Sequence, residues 1–206
     1  MADDTFSPED KDRIAAAIAE AESTTAGEIY VVIARGGEEF RYVPVIWAAL
    51  AALLLPWPLH LLTSLSTTTI LVLQAMVFVG ATLVMCHPTI GHRIVPNTIA
   101  AERTRRQACE QFLAHGVHLT EARTGVLIYV TPRDRRVEIV ADVGIHSKVG
   151  EAAWEELAQE ITVAARNGQL VDGMLNAIRK AGALLAQHFP PSARNPNELS
   201  DRMVEI

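Results

Sequence analysis

From Tyr42 to Cys86 the chain carries no Asp, Glu, Lys or Arg, and this gap in the polar pattern organises everything on either side of it. A bilayer core about 30 Å thick takes roughly 20 apolar helical residues to cross. The gap holds two such lengths, Val43 to Leu62 and Thr67 to Cys86, with Thr63-Ser64-Leu65-Ser66 between them as a turn. Buried helices of a soluble protein usually keep one wet, charged face, so the pattern predicts a transmembrane helical hairpin over 42–86. Pro56 and Pro58 each remove an amide donor, so the first helix is expected to kink or end near Leu55. Pro56 to Leu62 then lies at the interface, with Trp57 and His60 at headgroup level.

Outside the gap the period changes. Ser7-Pro8-Glu9-Asp10 starts a helix with a hydroxyl cap, a proline in the first turn and carboxylates at the positive end of the dipole. Ile14, Ala17, Ile18 and Ala21 form its apolar face. The helix should stop at Ser23-Thr24-Thr25, and Gly27 opens a strand, Glu28 to Ala34, whose unbroken apolar run predicts a central position. A helix follows from Asn97 to about His115, with Ala101, Ala108, Phe112 and Leu113 inward and with Arg103, Arg105 and Arg106 available to anionic lipid. Gly125 to Val130 and Arg136 to Ala141 read as strand, turn and strand, the second alternating with Val137, Ile139 and Ala141 on one side. Two helices close the pattern. One carries Trp154, Leu157, Ala158, Ile161 and Ala165 and ends at Asn167-Gly168; the other carries Val171, Met174, Ile178, Gly182 and Leu185, with Gly182 suited to close packing. The tail after Pro190-Pro191 is expected to be irregular.

A lone strand cannot satisfy its own backbone. Glu28 to Ala34 is therefore expected to pair with the strands beyond the hairpin, which makes the hairpin an insertion in one α/β domain. The segments are 8–41 (helix and strand), 42–86 (hairpin), 97–189 (the rest of the domain) and 190–206 (tail). Basic residues set orientation: Arg35 and Arg41 precede the hairpin and Arg93, Arg103, Arg105 and Arg106 follow it, whereas the connecting turn has none. Both termini are thus expected in the cytoplasm, at the inner membrane. The N-terminal MADDTFSPEDKDR has no apolar core of a signal peptide.

Composition narrows the function classes. The net charge of -6 gives no basic footprint for nucleic acid. Two cysteines, Cys86 and Cys109, make neither a disulfide framework nor a zinc site, and both read as small apolar fillers. No G-x-S-x-G, P-loop or H-E-x-x-H motif is present.

The order TTAGEIYVVIA, a helix, RTGVLIYV, a tight turn, RRVEIVADVGI and the tryptophan-bearing EAAWEEL resembles the TPM domain family, and HFPP with NELSDRMVEI is similar to its bacterial membrane-bound branch. The resemblance implies a small sheet sandwiched by helices. It also implies phosphatase activity or calcium binding through acidic residues at the sheet's edge, as in some members. On that basis Glu28 and Asp142 are the metal candidates, for calcium or another divalent cation, and Asp142 with His146 the catalytic candidates. Where soluble members carry further acids after the turn, this chain has Ile145-His146-Ser147-Lys148.

Read on their own, these residues also have structural roles. Asp142-Val143-Gly144 fits a turn in which the carboxylate holds the backbone, and Glu28, Asp142 and Glu151 are few for a cation that takes six to eight oxygens. His87 and His92 flank the membrane exit, and His115 and His118 suit the end of a helix. Two functions follow: an accessory or protein-interaction module tethered to the membrane, and a divalent-metal-dependent phosphatase. The expected partners are the lipid bilayer and a protein. Ala48 and Ala52 give a small-xxx-small spacing compatible with a homo-oligomer.

Overall fold

Glu28–Ile33 (β1) and Gly125–Thr131 (β2) are buried at every position, and they hydrogen-bond to each other in parallel from Glu28 opposite Gly125 to Ile33 opposite Val130. The computed structural model describes residues 6–34, 42–85, 97–191 and 196–206. Arg35, Arg41, Cys86, His87, His92 and Arg93, all used in the sequence reading, lie outside the described residues. The chain divides into two compact units: Met1–Gly36 with Ala101–Ile206, and Gly37–Ala100.

The first unit is built on a four-stranded sheet of order β3-β2-β1-β4, where β3 is Arg136–Ala141 and β4 is Val204–Glu205. β3 runs antiparallel to β2, and β4 runs parallel to β1. The pleat sends alternate residues to opposite faces. Ile29, Val31, Ile33, Val126, Ile128 and Val130 pack on one side against helices α1 (Pro8–Glu22), α7 (Glu151–Arg166) and α8 (Leu170–His188). Tyr30, Val32, Leu127 and Tyr129 pack on the other against Ala108 and Phe112 of α5 (Asn97–Ala114). This is the helix–sheet–helix sandwich expected from the sequence. Each fully buried aliphatic side chain in it contributes about 1.5–3 kcal/mol.

Local signals behave as predicted. Ser7 and Asp10 form a reciprocal capping box at the start of α1. Asn167 and the left-handed Gly168 end α7. A Cβ on Gly182 would stand 2.6 Å from Cβ of Ala21, so the glycine is what lets α8 lie against α1. Val137, Ile139 and Ala141 of β3 all pack on the α1–α7–α8 side.

Four expectations need correction. The tail is not irregular throughout: β4 lengthens the sheet, and Ile206 N–H donates to Ile33 C=O at 3.0 Å. Cys109 is exposed, because neighbouring Ala108 takes the inward position on α5. Leu113 is exposed and Ala101 likewise, leaving Ala108 and Phe112 as inward contacts of α5. Arg105 turns to protein, with Nη1 3.4 Å from Glu138 and Nη2 3.2 Å from Glu151, tying α5 to β3 and α7.

The second unit holds α2 (Tyr42–Leu54), α3 (Pro56–Leu62) and α4 (Thr67–Met85). The first apolar helix breaks at Leu55, where proline chemistry placed the break. Ala48, Ala52 and Ile70 are buried in the seam between the two arms. Leu53, Trp57, Leu71, Met76 and Leu83 stand exposed. Val45–Leu62 and Thr67–Met85 are long and apolar enough to cross a membrane, with mean hydropathies of 1.9 and 2.0.

Candidate functional site

Where α1 gives way to β1, the loop between them is fixed by side chains and backbone alike. Thr25 Oγ1 donates to Phe189 C=O at 2.7 Å and accepts from Gly27 N–H at 3.1 Å. Ala26 N–H also reaches Phe189 C=O, at 2.9 Å, and Thr124 Oγ1 donates to Ala26 C=O at 2.7 Å. These contacts bring the last residue of α1, Glu22, beside the first residue of β1, Glu28.

Both carboxyl groups are buried, Glu22 at 7% and Glu28 at 4% exposure. Glu22 Oε1 accepts Ile29 N–H at 2.7 Å. Burial, reinforced by the charges of Glu28 and Asp201, outweighs that hydrogen bond and pushes Glu22 up to about 8. Glu28 is also raised, first by burial, although its carboxylate accepts the main-chain N–H groups of Leu199 and Glu198. The Leu199 bond measures 3.1 Å. Glu198 and Asp201 add like charge. The site is therefore an acidic cluster with three sources, α1, β1 and the C-terminal tail, and it keeps a proton on Glu22 at neutral pH.

Such a cluster can donate a proton, and its charge suits a cation. As arranged it is not a cation cage. Glu22 Oε1 and Glu28 Oε2 are occupied by backbone N–H groups, and among the described residues no group of three or more His, Cys, Asp or Glu is placed to hold a metal ion. A hard cation takes six to eight oxygens.

Asp142 sits elsewhere. It caps a one-turn helix, α6 (Val143–His146), with Oδ1 accepting Val143 N–H at 2.6 Å. Its own N–H donates to Gly125 C=O at 2.9 Å, and Oδ2 lies 3.7 Å from Nη1 of Arg123. Glu28, Gly125 and Asp142 thus occupy one row across three strands, which puts the two acids about 10 Å apart at Cα. Val117 C=O fills the middle: it would lie 2.2 Å from a Cβ on Gly125. Gly144 is required for a similar reason, since a Cβ there would meet Arg123 C=O at 2.4 Å. His146 is exposed at the end of α6, and Glu151 is engaged with Arg105. Glu28 therefore stands apart from Asp142, whereas His146 lies one helical turn from Asp142, its N–H donating to Asp142 C=O at 3.0 Å.

Sequence reasoning found Glu28 and missed Glu22, Glu198 and Asp201. For Glu22 a signal existed: it falls four residues after Ile18, on the buried stripe of α1. The tail acids carried none, because their place depends on β4.

A shallow groove of about 750 Å³ runs between α7 and α8, with Glu155, Glu156, Glu160 and Asp172 along it. Glu160 is paired with Lys180 and Asp172 with Arg13, which marks a solvated face.

Comparison with known proteins agrees with this architecture. The family model of the TPM domain matches residues 90–184. The fold is similar to the NMR structure of the BA42 protein from the psychrophilic bacterium Bizionia argentinensis, with a TM-score of 0.64 and 20% sequence identity, covering 100% of this chain and 99% of that one. No curated protein matches the chain.

Proposed function

Starting from a TPM domain over residues 90–184, we propose that this chain is a membrane-anchored accessory or protein-interaction module at the cytoplasmic face of the inner membrane. The observation that carries the reading is the surface of the hairpin unit: only 11% of one apolar span and 6% of the other is buried. Left in water, that surface would forfeit about 25 cal/mol per Å²; in lipid it costs nothing. Connectivity supports the sidedness. β1 and β2 flank the hairpin in sequence and pair with each other, which supports a topology with both ends of the hairpin on one side of the bilayer. The basic flanks favour the cytoplasm as that side.

The test is twofold. Alkaline carbonate washing of membranes should leave the full chain in the pellet. A fluorescent protein fused after Ile206 should glow, while a periplasm-dependent reporter at the same place should be silent. Release by carbonate would remove the membrane reading, and an active periplasmic reporter would remove the sidedness.

The second reading, a divalent-metal-dependent phosphatase, draws on one observation: Glu22 is raised to about 8, which suits a proton donor. Against it stands the occupation of Glu22 and Glu28 by backbone N–H groups. Hydrolysis of a generic phosphate ester by the purified chain, stimulated by calcium or magnesium and abolished by Glu22→Gln, is the result that would favour it.

A further inference from the structure

β3 is an outer strand of the sheet, and the pairing decides which of its backbone groups face outward. Asp142 N–H donates to Gly125 C=O at 2.9 Å, and in the same register Val140, Glu138 and Arg136 turn their N–H and C=O groups toward β2. The far side of β2 agrees. Glu28 N–H reaches Thr124 C=O and Ala34 N–H reaches Val130 C=O, so the even-numbered residues of β2 serve β1 and the odd-numbered ones serve β3. The N–H and C=O groups of Val137, Ile139 and Ala141 therefore point away from the sheet, and none has a hydrogen-bond partner among the described residues. Every residue of β3 is partly exposed, whereas β1 and β2 are buried throughout. Such a row of free donors and acceptors is a template for one more strand.

The charge along this edge limits what that strand can carry. Val137, Ile139 and Ala141 lie on the α7 side of β3, while Glu138 shares the α5 side with Val140. Arg105 comes from α5 and reaches both Glu138 and Glu151, the first residue of α7 in the opposite layer, so its guanidinium lies across the edge. Glu155, one turn along α7, adds like charge at Glu138 and has no ion-pair partner among the described residues. Three acids thus gather around a single, mostly exposed guanidinium. We propose that the β3 edge binds an extended segment of a partner protein by strand addition, and that this segment alternates apolar and basic residues. Its apolar side chains continue the face of Val137, Ile139 and Ala141, and a Lys or Arg opposite Glu138 takes the place of Arg105. A second copy of β3 fits less well: antiparallel self-pairing over 137–141 centres on Ile139 and sets Val140 of one copy opposite Glu138 of the other, which brings no cation.

This rests on the protein-interaction reading. The full chain in detergent micelles is mixed with a blocked synthetic peptide, Ser-Val-Thr-Val-Arg-Val-Thr-Ser, or with the same peptide carrying Glu in place of Arg. Residue-resolved hydrogen exchange is expected to slow at Val137, Ile139 and Ala141 with the Arg peptide and to stay unchanged at Glu138 and Val140, whose N–H groups β2 already holds. The Arg peptide is expected to bind about tenfold more tightly than the Glu peptide, because opposite charges on adjacent strands attract and like charges repel. Glu138→Gln should shrink that preference, and Arg105→Ala, which clears the edge, should tighten binding of the Arg peptide. Slowing that is absent, or that does not alternate along β3, overturns the proposal, as does equal affinity for the two peptides. Alternating slowing that needs no peptide and grows with protein concentration also overturns it, since the occupant is then a second copy. Carbonate extraction is a separate readout: release removes the anchored module and leaves the exchange pattern to be read, whereas a flat exchange pattern removes the edge site and leaves the anchor in place.

Discussion

Burial, with the charge of Glu28 added to it, raises the carboxyl of Glu22, and the two acids are buried together although one ends a helix and the other begins a strand. A pair of this kind cannot ionise freely. Its consequence is a stability that depends on pH in an unusual direction.

A free glutamate releases its proton near 4.5, whereas Glu22 in the folded chain holds it to about 8. Between those values the folded state binds more protons than the unfolded one, so this group's contribution falls as pH rises and levels off above about 8. Glu28 and Glu138, both raised, act with the same sign. Urea unfolding of the full chain in detergent at pH 5, 7 and 9 should show a declining midpoint. Glu22→Gln, which carries no charge at any of these values, should flatten the decline and unfold later than the parent at pH 9.

Glu28 also anchors the tail through Leu199 N–H. Glu28→Ala leaves that donor without its acceptor and should cost about 1–3 kcal/mol. Hydrogen exchange at Leu199 and at Ile206 should accelerate together, since Ile206 N–H is held by Ile33 at the same edge. Glu28→Gln keeps an acceptor oxygen, and exchange in that variant should stay close to the parent's.

Gly125→Ala places a methyl group where Val117 C=O already lies, 2.2 Å away. Backbone has to move on one side or the other, so a loss of about 1–3 kcal/mol is expected. Denaturant titration measures it directly.

Asp142→Ala removes the cap of α6 and should cost about 0.5–2 kcal/mol. Asp142→Asn retains an oxygen for Val143 N–H and should cost less. A thermal unfolding series of the two variants reads the difference. An equal loss in Asp142→Asn and Asp142→Ala would mean that the charge facing Arg123, 3.7 Å away, matters more than the cap.

Cys109 is exposed on α5. In a Cys86→Ser background, a membrane-impermeant maleimide should label it in inside-out vesicles and leave it unlabelled in intact cells. Labelling in intact cells would place the sheet domain outside the cytoplasm.

Most of the framework could be read from the chain because it is written locally. A charge-free run announces lipid-length helices, a period of 3.6 or 2 announces a helix or a strand, and Pro8, Gly27, Pro56 and Gly168 punctuate them. Pairing of β1 with β2 across the hairpin followed from a backbone that had to find partners. The positions of Glu22, Glu198, Asp201 and Arg105 were decided otherwise. Glu22 looks like one more charge on a charged helix until α1 is laid on the sheet, and Glu198 and Asp201 look like a solvated tail until β4 adds to β1. Periodicity is a property of neighbours along the chain, whereas a shifted carboxyl or an ion pair between helices depends on residues far apart in sequence that only the folded chain brings together.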